Sequence, residues 1–188
     1  MRFRNLKPDE RSREQQALAE KLTASPRGSV RGPYIPLQHS PELADRLRHL
    51  GDFIRFGGAL PAKLKEILVL LNARHWSMDY MFAVHRDFSR AAGVDPAIVE
   101  AIAAGERPEG LDAVESAAFD LAQELLRECR VSDACFAAAR DRLGETGTIE
   151  LISFIGYYTM LAMILNASEM PLPPGAQALP SLSGESDQ

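Results

Sequence analysis

The chain has 188 residues and a formal net charge of -5 at pH 7, a length that suits one domain with its own core and is short for two. Apolar residues make up 46% of the chain and charged residues 25%, which is ordinary for a globular protein and excludes the disordered and fibrous classes. Basic residues are scattered along the sequence, so the electrostatic footprint of a nucleic-acid-binding protein is missing and we expect no nucleic-acid partner.

Apolar residues recur at three- and four-residue spacing from end to end, with almost no strict alternation, which predicts an all-α protein. Pro8 and the two acids after it suit the first turn of a helix that runs to about Ala24. The Pro- and Gly-rich stretch 25–38 is typical of an extended arm. Residues 1–39 are therefore predicted to form an N-terminal helix and arm.

Residues 40–175 are predicted to form the main helical domain. Ser40, Ser77 and Ser132 stand where a serine can cap the helix that follows, and glycines end several of the periodic segments. The helices are predicted over residues 41–57, 61–76, 77–93, 95–105, 111–130, 132–144 and about 148–168. The last one is apolar nearly all round, which in so small a domain favours a subunit interface.

The sequence after the last predicted helix, MPLPPGAQALPSLSGESDQ, changes character. An ordered turn is expected near Pro171 to Pro174, followed by a flexible tail over residues 176–188. We find no tandem repeat and no Gly-rich phosphate loop. Nucleotide-binding folds are therefore excluded.

The N-terminus and the longest apolar run predict where in the cell the protein is located. The first residues, MRFRNLKPDERSREQQ, lack the apolar stretch of a secretory signal, which predicts a cytoplasmic protein. The run 149–165 reaches only the lower limit of a membrane span and contains Glu150, so we expect a core or interface helix and no membrane partner. Cys129 and Cys135 are six residues apart, which fits neither a zinc pair nor a CxxC pair and predicts small buried thiols.

Two residues on successive predicted helices carry the candidate chemistry. Glu66 has apolar neighbours three, four and seven residues further on, so its carboxylate leaves the helix on an apolar face. His85 belongs to a stripe at three- and four-residue spacing, made of Met78, Met81, Phe82, His85 and Phe88. A buried imidazole needs a hydrogen-bond partner, and a carboxylate from the preceding helix would suit it. Glu66 and His85 are therefore predicted to form an acid–base pair.

Structural roles stay open for both residues. Glu66 could interact with the helix dipole, or pair with Lys63 or Arg74. His85 could be a core histidine that only satisfies its hydrogen bonds.

The junction between the two helices supplies candidate substrate-binding residues. His75 and Tyr80 are predicted to hold a carboxylate or carbonyl, although a helix-end histidine and a half-buried tyrosine would explain them as well. Trp76, Met78 and Met81 are predicted to complete the wall of the site.

At this segment the sequence resembles a known family. The string LPxKLKEILVLLNARHWxxDYxFxxH is similar to the core of the carboxymuconolactone decarboxylase family, which includes the alkylhydroperoxidase D proteins. In that family a helix-borne Glu is followed nineteen positions later by a His, as Glu66 is followed here by His85. The peroxidase members carry two cysteines twelve and fifteen positions after the Glu, and Met78 and Met81 stand in those places. An acidic and aromatic pair common in the non-peroxidase members is matched by Asp79 and Tyr80.

The resemblance continues in LGETGTIELISFIGYYTMLAMILNASEMPLPPG and covers about residues 40–175. It implies a compact helix bundle of the alkylhydroperoxidase D-like type that assembles as a homo-oligomer, from dimer to hexamer. The implied function is that of a lyase that decarboxylates a small carboxylated lactone or ring compound in aromatic-compound breakdown. His85 would shuttle the proton and Glu66 would orient it, with no metal and no cofactor.

Two other functions stay open. A thiol peroxidase of the alkylhydroperoxidase type is disfavoured, because the thioethers of Met78 and Met81 can neither ionise nor close a disulfide. A non-catalytic oligomeric binding protein would keep the fold without the chemistry, since a fold does not fix a function.

Overall fold

The computed structural model describes residues 1–182, and this range contains eight α-helices and no β-strand. The prediction of an all-α protein is confirmed. The described chain divides into two compact units, one made of residues 1–57 and 163–171 and the other of residues 58–162 and 172–182. The predicted domain limits at 39 and 175 remain a prediction.

The first unit contains α1 (Arg13–Ala24), α2 (Tyr34–Leu37) and α3 (Pro41–Phe56). The helix expected from Pro8 is instead a short 3₁₀ turn over Pro8–Glu10, and α1 begins after Ser12. The Ser12 hydroxyl accepts a hydrogen bond from the Gln15 amide, and the Gln15 side chain accepts one from the Ser12 amide. This capping box fixes the start of α1 and explains why the earlier proline does not.

α2 corrects the expectation of a fully extended arm over residues 25–38. One helical turn forms there, and its Tyr34 and Leu37 side chains are buried. The burial of these two apolar groups outweighs the low helix propensity of a segment rich in proline and glycine.

The second unit contains α4 (Ala62–His75), α5 (Asp79–Ala91), α6 (Pro96–Ala103), α7 (Ala113–Glu128) and most of α8 (Asp133–Ala167). α4 is its central helix, because it packs against α5, α6 and α7. Its side chains are buried on nearly every side, including Leu64, Ile67, Leu68, Leu70 and Ala73. Each fully buried leucine or isoleucine stabilises the fold by about 1.5–3 kcal/mol, so α4 is the rigid element on which a site can be built.

The turn between α4 and α5 differs from its prediction. Ser77 does not cap α5; its backbone takes the left-handed conformation (φ 44°), and its hydroxyl accepts a hydrogen bond from Arg74 at 3.0 Å. The Met78 amide then bonds to the Ala73 carbonyl at 2.8 Å. Ser77 therefore closes α4, a role that needs the left-handed region, whereas an N-cap residue needs an extended backbone.

α8 joins the last two predicted helices. Its helical backbone is broken at Gly144 (φ 68°, ψ 176°), which confirms the predicted end of a helix there, and the helix resumes directly after Gly144 instead of at about Thr148. Within residues 1–182, α8 is the one helix long and apolar enough to cross a membrane, and half of that apolar window is buried. The buried side chains of its second half include Leu151, Phe154, Ile155, Tyr158 and Leu161.

Residues 176–182, here called the C-terminal segment, are part of the second unit. The Leu179 amide donates to the Asp79 carboxylate at 2.8 Å, and Arg74 donates to the Pro180 carbonyl at 2.8 Å. Leu182 packs so closely on Gly105 that a Cβ there would come within 2.8 Å of its Cδ2 atom. The rest of the predicted flexible tail, residues 183–188, lies outside the described residues.

Candidate functional site

The Glu66 carboxylate and the His85 imidazole are in direct contact. Oε2 of Glu66 lies 2.7 Å from Nδ1 of His85. α4 supplies Glu66, and the tight turn at Ser77 sends α5 back alongside α4, so that a separation of nineteen residues becomes a side-by-side pair. The predicted hydrogen bond between these two side chains is confirmed.

The pair lies largely out of water, with the His85 side chain 6% exposed and the Glu66 side chain 14% exposed. The two alternative partners of Glu66 are engaged elsewhere. Lys63 forms an ion pair with Glu115 at 2.8 Å, and Arg74 bonds to Ser77 and to the Pro180 carbonyl. The Glu66 carboxylate is thus directed to the imidazole.

Aromatic rings from two helices make edge-to-face contacts with the imidazole. The His85 ring meets Phe88 of α5 at 5.5 Å and 68°, and Tyr158 of α8 at 5.6 Å and 87°. Phe154 packs on Tyr158 in turn, at 4.7 Å. Edge-to-face contacts of this kind are worth about 0.5–1.5 kcal/mol each between aromatic rings, so they fix the plane of the imidazole.

Sequence reasoning missed Tyr158 and Asn72. Asn72 is fully buried on α4, and its amide donates to the Ile155 carbonyl at 3.2 Å and to the Thr159 hydroxyl at 3.0 Å. These two bonds tie α4 to α8 at the level of Tyr158. The sequence could have indicated both residues, because an asparagine inside an apolar helix and tyrosines inside an apolar run need hydrogen-bond partners.

The predicted wall residues Met78 and Met81 are both buried. Met81 precedes His85 by one helical turn and therefore lies on the same face of α5. Met78 precedes Met81 by three residues at the start of the helix. The stripe that runs along α5 toward His85 is thus apolar and contains two thioethers.

His75 lies away from the pair. It follows Glu66 by nine residues on α4, which is about 14 Å along the axis and half a turn around it. Its ring is edge-on to Trp76 at 5.6 Å, and partial burial, helped by the positive charge of Arg127, lowers the pKa of His75. Tyr80 is half-buried in the first turn of α5. The roles of these three residues in substrate binding stay predictions.

The cysteines and possible metal ligands lie apart from this site. Among the described residues both cysteines are free thiols, and no group of three or more His, Cys, Asp or Glu side chains could hold a metal ion. Cys129 is exposed, which corrects the prediction of a buried thiol: it takes the left-handed position (φ 55°) that ends α7, beyond the apolar stripe of that helix. Burial and a hydrogen bond to Glu124 raise the pKa of Cys135 to about 11.

Comparison with known proteins places this fold. No protein-family model matches the chain, and no curated protein sequence matches it. Among solved structures, the alkylhydroperoxidase AhpD core of an uncharacterized peroxidase-related protein from Ralstonia eutropha is similar with a TM-score of 0.76 and 14% identity, covering 92% of each chain. This chain has the alkylhydroperoxidase D-like fold.

Two further structures share the alkylhydroperoxidase D-like fold. The debrominase Bmp8 in complex with 2,3,4-tribromopyrrole has a TM-score of 0.73 and 14% identity, over 93% of this chain and 92% of that one. An uncharacterized peroxidase-related protein from a Silicibacter species has a TM-score of 0.72 and 15% identity, over 93% and 91%. The predicted fold type is confirmed, and likeness at these identities concerns the fold alone.

The arrangement at the pair is suited to proton transfer. With Nδ1 donating to the Glu66 carboxylate, the tautomer of His85 is set, and Nε2 becomes the ring nitrogen that gains or loses a proton. In this alkylhydroperoxidase D-like fold, α4, α5 and α8 together therefore hold an oriented acid–base group.

Proposed function

We propose that this chain is an acid–base enzyme, a decarboxylase-like lyase that acts without a cofactor on a small carboxylated lactone or ring compound. The 2.7 Å hydrogen bond between Glu66 and His85, largely shielded from water, carries the proposal. A buried carboxylate–imidazole pair often adds little net stability compared with apolar side chains of the same size. Its presence beside an apolar stripe therefore favours a chemical role.

In the proposed reaction the bond between the substrate carboxylate and its ring carbon breaks, and CO₂ leaves. The electron pair stays on the substrate as an enolate conjugated with the ring carbonyl. Protonated His85 then delivers the proton from Nε2 to the ring carbon, while Glu66 holds Nδ1 and stabilises the imidazolium. One proton from solvent restores His85, so each turnover releases one CO₂ and consumes one proton.

The surroundings of the pair limit the size and polarity of the substrate. Met78 and Met81 give α5 an apolar face, and Tyr158 and Phe88 enclose the imidazole. A structural neighbour, the debrominase Bmp8, was solved with a brominated pyrrole. A one-ring substrate is the class that these observations support.

Thiol peroxidase chemistry is disfavoured for this chain. A peroxidatic residue must be a thiolate, and methionines occupy the two positions where the resembled peroxidases carry cysteines. Cys135 has a raised pKa and little thiolate at neutral pH. We expect no dithiol-dependent turnover of an organic hydroperoxide, and activity lost on Cys129→Ser or Cys135→Ser would reverse this conclusion.

The proposed function is tested by screening carboxylated lactones and cyclic acids for thermal stabilisation, followed by measurement of CO₂ release. A site-specific ligand stabilises the protein by mass action. Turnover should be lost in His85→Ala and kept in His49→Ala, an exposed histidine of the other unit. A ligand that binds through His85 without any CO₂ release would favour the non-catalytic binding protein instead.

We also propose that the protein is a homo-oligomer. On α8, Ile149 is 60% exposed. Gly156 of the same helix is exposed, and a Cβ added there would meet open space, so another helix could approach closely. An apolar helix face with a small residue in it is suited to a second copy of the chain.

A further inference from the structure

A cavity of about 150 Å³ lies beside α4, at the end of that helix remote from Glu66. It is bounded by the last turn of α4, the residues after α6, the end of α7 and the C-terminal segment. Its apolar wall is formed by Leu71, Ile102, Leu126 and Leu182. An apolar cavity of about this volume accommodates one benzene-sized ring.

The rim of this cavity is polar and carries a net positive charge. Arg74, Arg127 and Glu106 all line it, which gives two positive groups against one negative group. Arg127 is exposed at the mouth, and Gln123 lies one helical turn before it on α7. A guanidinium beside an apolar wall is a typical receptor for a carboxylate attached to a ring.

His75 completes the rim as a hydrogen-bonding group. Burial and the nearby Arg127 charge lower the pKa of His75, so the imidazole is neutral at pH 7. A neutral imidazole can donate to or accept from an oxygen without adding charge. The charge of this rim is therefore set by its guanidinium and carboxylate groups.

The C-terminal segment forms one wall of the cavity through specific contacts. Its backbone is bound by Asp79 and Arg74 at Leu179 and Pro180, each at 2.8 Å. Leu182 lines the cavity and packs on Gly105, the second residue after α6. These contacts make the cavity a built feature of the unit, closed on a side where a shorter chain would leave it open.

We propose that this cavity binds a single-ring carboxylate of benzoate size, with the ring against Leu126 and Leu182 and the carboxylate at Arg127. The site is separate from the proposed lyase site, because Glu66 and His85 are not among the residues that line it. In this second site His75 would contact the ligand, at a distance from the acid–base pair.

The test is a calorimetric titration of the full-length protein with benzoate. Trp76 provides a second signal, because it is the one tryptophan of the chain and its ring contacts His75. Benzoate should bind saturably and change the Trp76 emission. Benzamide, which has the same shape without the charge, should bind about tenfold more weakly. Equal binding of the two compounds, or no benzoate binding at millimolar concentration, would overturn the proposal.

Four variants locate the bound benzoate. Arg127→Gln should weaken binding about tenfold, whereas Arg130→Gln, an exposed arginine outside the lining, should leave it unchanged. Leu126→Phe extends a larger side chain into the cavity and should abolish binding while circular dichroism stays unaltered. His85→Ala should retain benzoate affinity. Loss of binding in His85→Ala with retention in Leu126→Phe would place benzoate at the acid–base pair and refute the separate site, whatever the outcome of the lyase assay.

Discussion

Removing either partner of the Glu66–His85 pair should destabilise the protein, and removing both should cost less than the sum of the single losses. The bond is 2.7 Å long, and the two side chains are 14% and 6% exposed. Truncation of one leaves a shielded polar group unsatisfied, which costs about 1–3 kcal/mol. For a chain of this length Glu66→Ala should lower the Tm by roughly 2–12 °C.

A double-mutant cycle measures the coupling directly. Glu66→Ala, His85→Leu and the double variant are unfolded in urea at pH 7 and at one fixed protein concentration, since assembly would make stability concentration-dependent. His85→Leu keeps an apolar group against Phe88 and Tyr158. We expect a coupling free energy of about 1–3 kcal/mol.

The control cycle uses Glu42 and Arg46, which form an i,i+4 ion pair at 2.8 Å on the surface of α3. Both side chains are more than three-quarters exposed, so their coupling should be much smaller. If the stability losses of Glu66→Ala and His85→Leu are additive, with a coupling free energy no larger than that of the control pair, the hydrogen bond between Glu66 and His85 does not stabilise the protein as we expect.

Three further predictions concern other parts of the chain. With Ellman's reagent at pH 8, the exposed Cys129 should react quickly and Cys135 slowly. The raised pKa of Cys135 keeps its thiol protonated, so its reaction rate should keep rising toward pH 11. Equal rates for the two cysteines at pH 8 would contradict this prediction. Light scattering should show an assembly larger than a monomer. Ile149→Glu should dissociate this assembly, whereas Arg140→Glu, also at an exposed position of α8, should leave it intact. A wild-type protein that is monomeric would contradict the proposed homo-oligomer. Tyr158→Phe should retain the proton-transfer activity better than Tyr158→Leu, because the edge contact with the imidazole depends on the ring; equal activities would show that the ring does not position it.

The helix boundaries that were predicted correctly depend on local chemistry. α3 begins at Pro41 and ends at Phe56 before Gly57, and α6 follows Asp95, whose carboxylate accepts from the Ala97 amide. These signals act within one turn of the chain. Ser77 was misread because the same residue type suits an N-cap and a left-handed helix end; its left-handed backbone and the local hydrogen bond from Arg74 to its hydroxyl place it at the end of α4.

The candidate site was partly foreseeable for a similar reason. Glu66 and His85 lie on adjacent helices joined by a tight turn, so their spacing and apolar neighbours predicted the contact. Tyr158 and the partners of Asn72 lie on α8, more than seventy residues away from the groups they meet, and no local pattern gives that register. His75 could have been separated from the pair by counting, because nine residues on a helix place two side chains on opposite sides.

The measurement that tests the account most directly is the rate of CO₂ release from the best carboxylated lactone by wild type, His85→Ala, Glu66→Gln and His49→Ala. We expect His85→Ala to have no measurable activity. Glu66→Gln should keep the fold and lose roughly 100- to 10,000-fold in kcat, the range of acid–base assistance, while His49→Ala should match wild type. A folded His85→Ala that releases CO₂ at the rate of His49→Ala would contradict the assignment of the Glu66–His85 pair as the proton-transfer site.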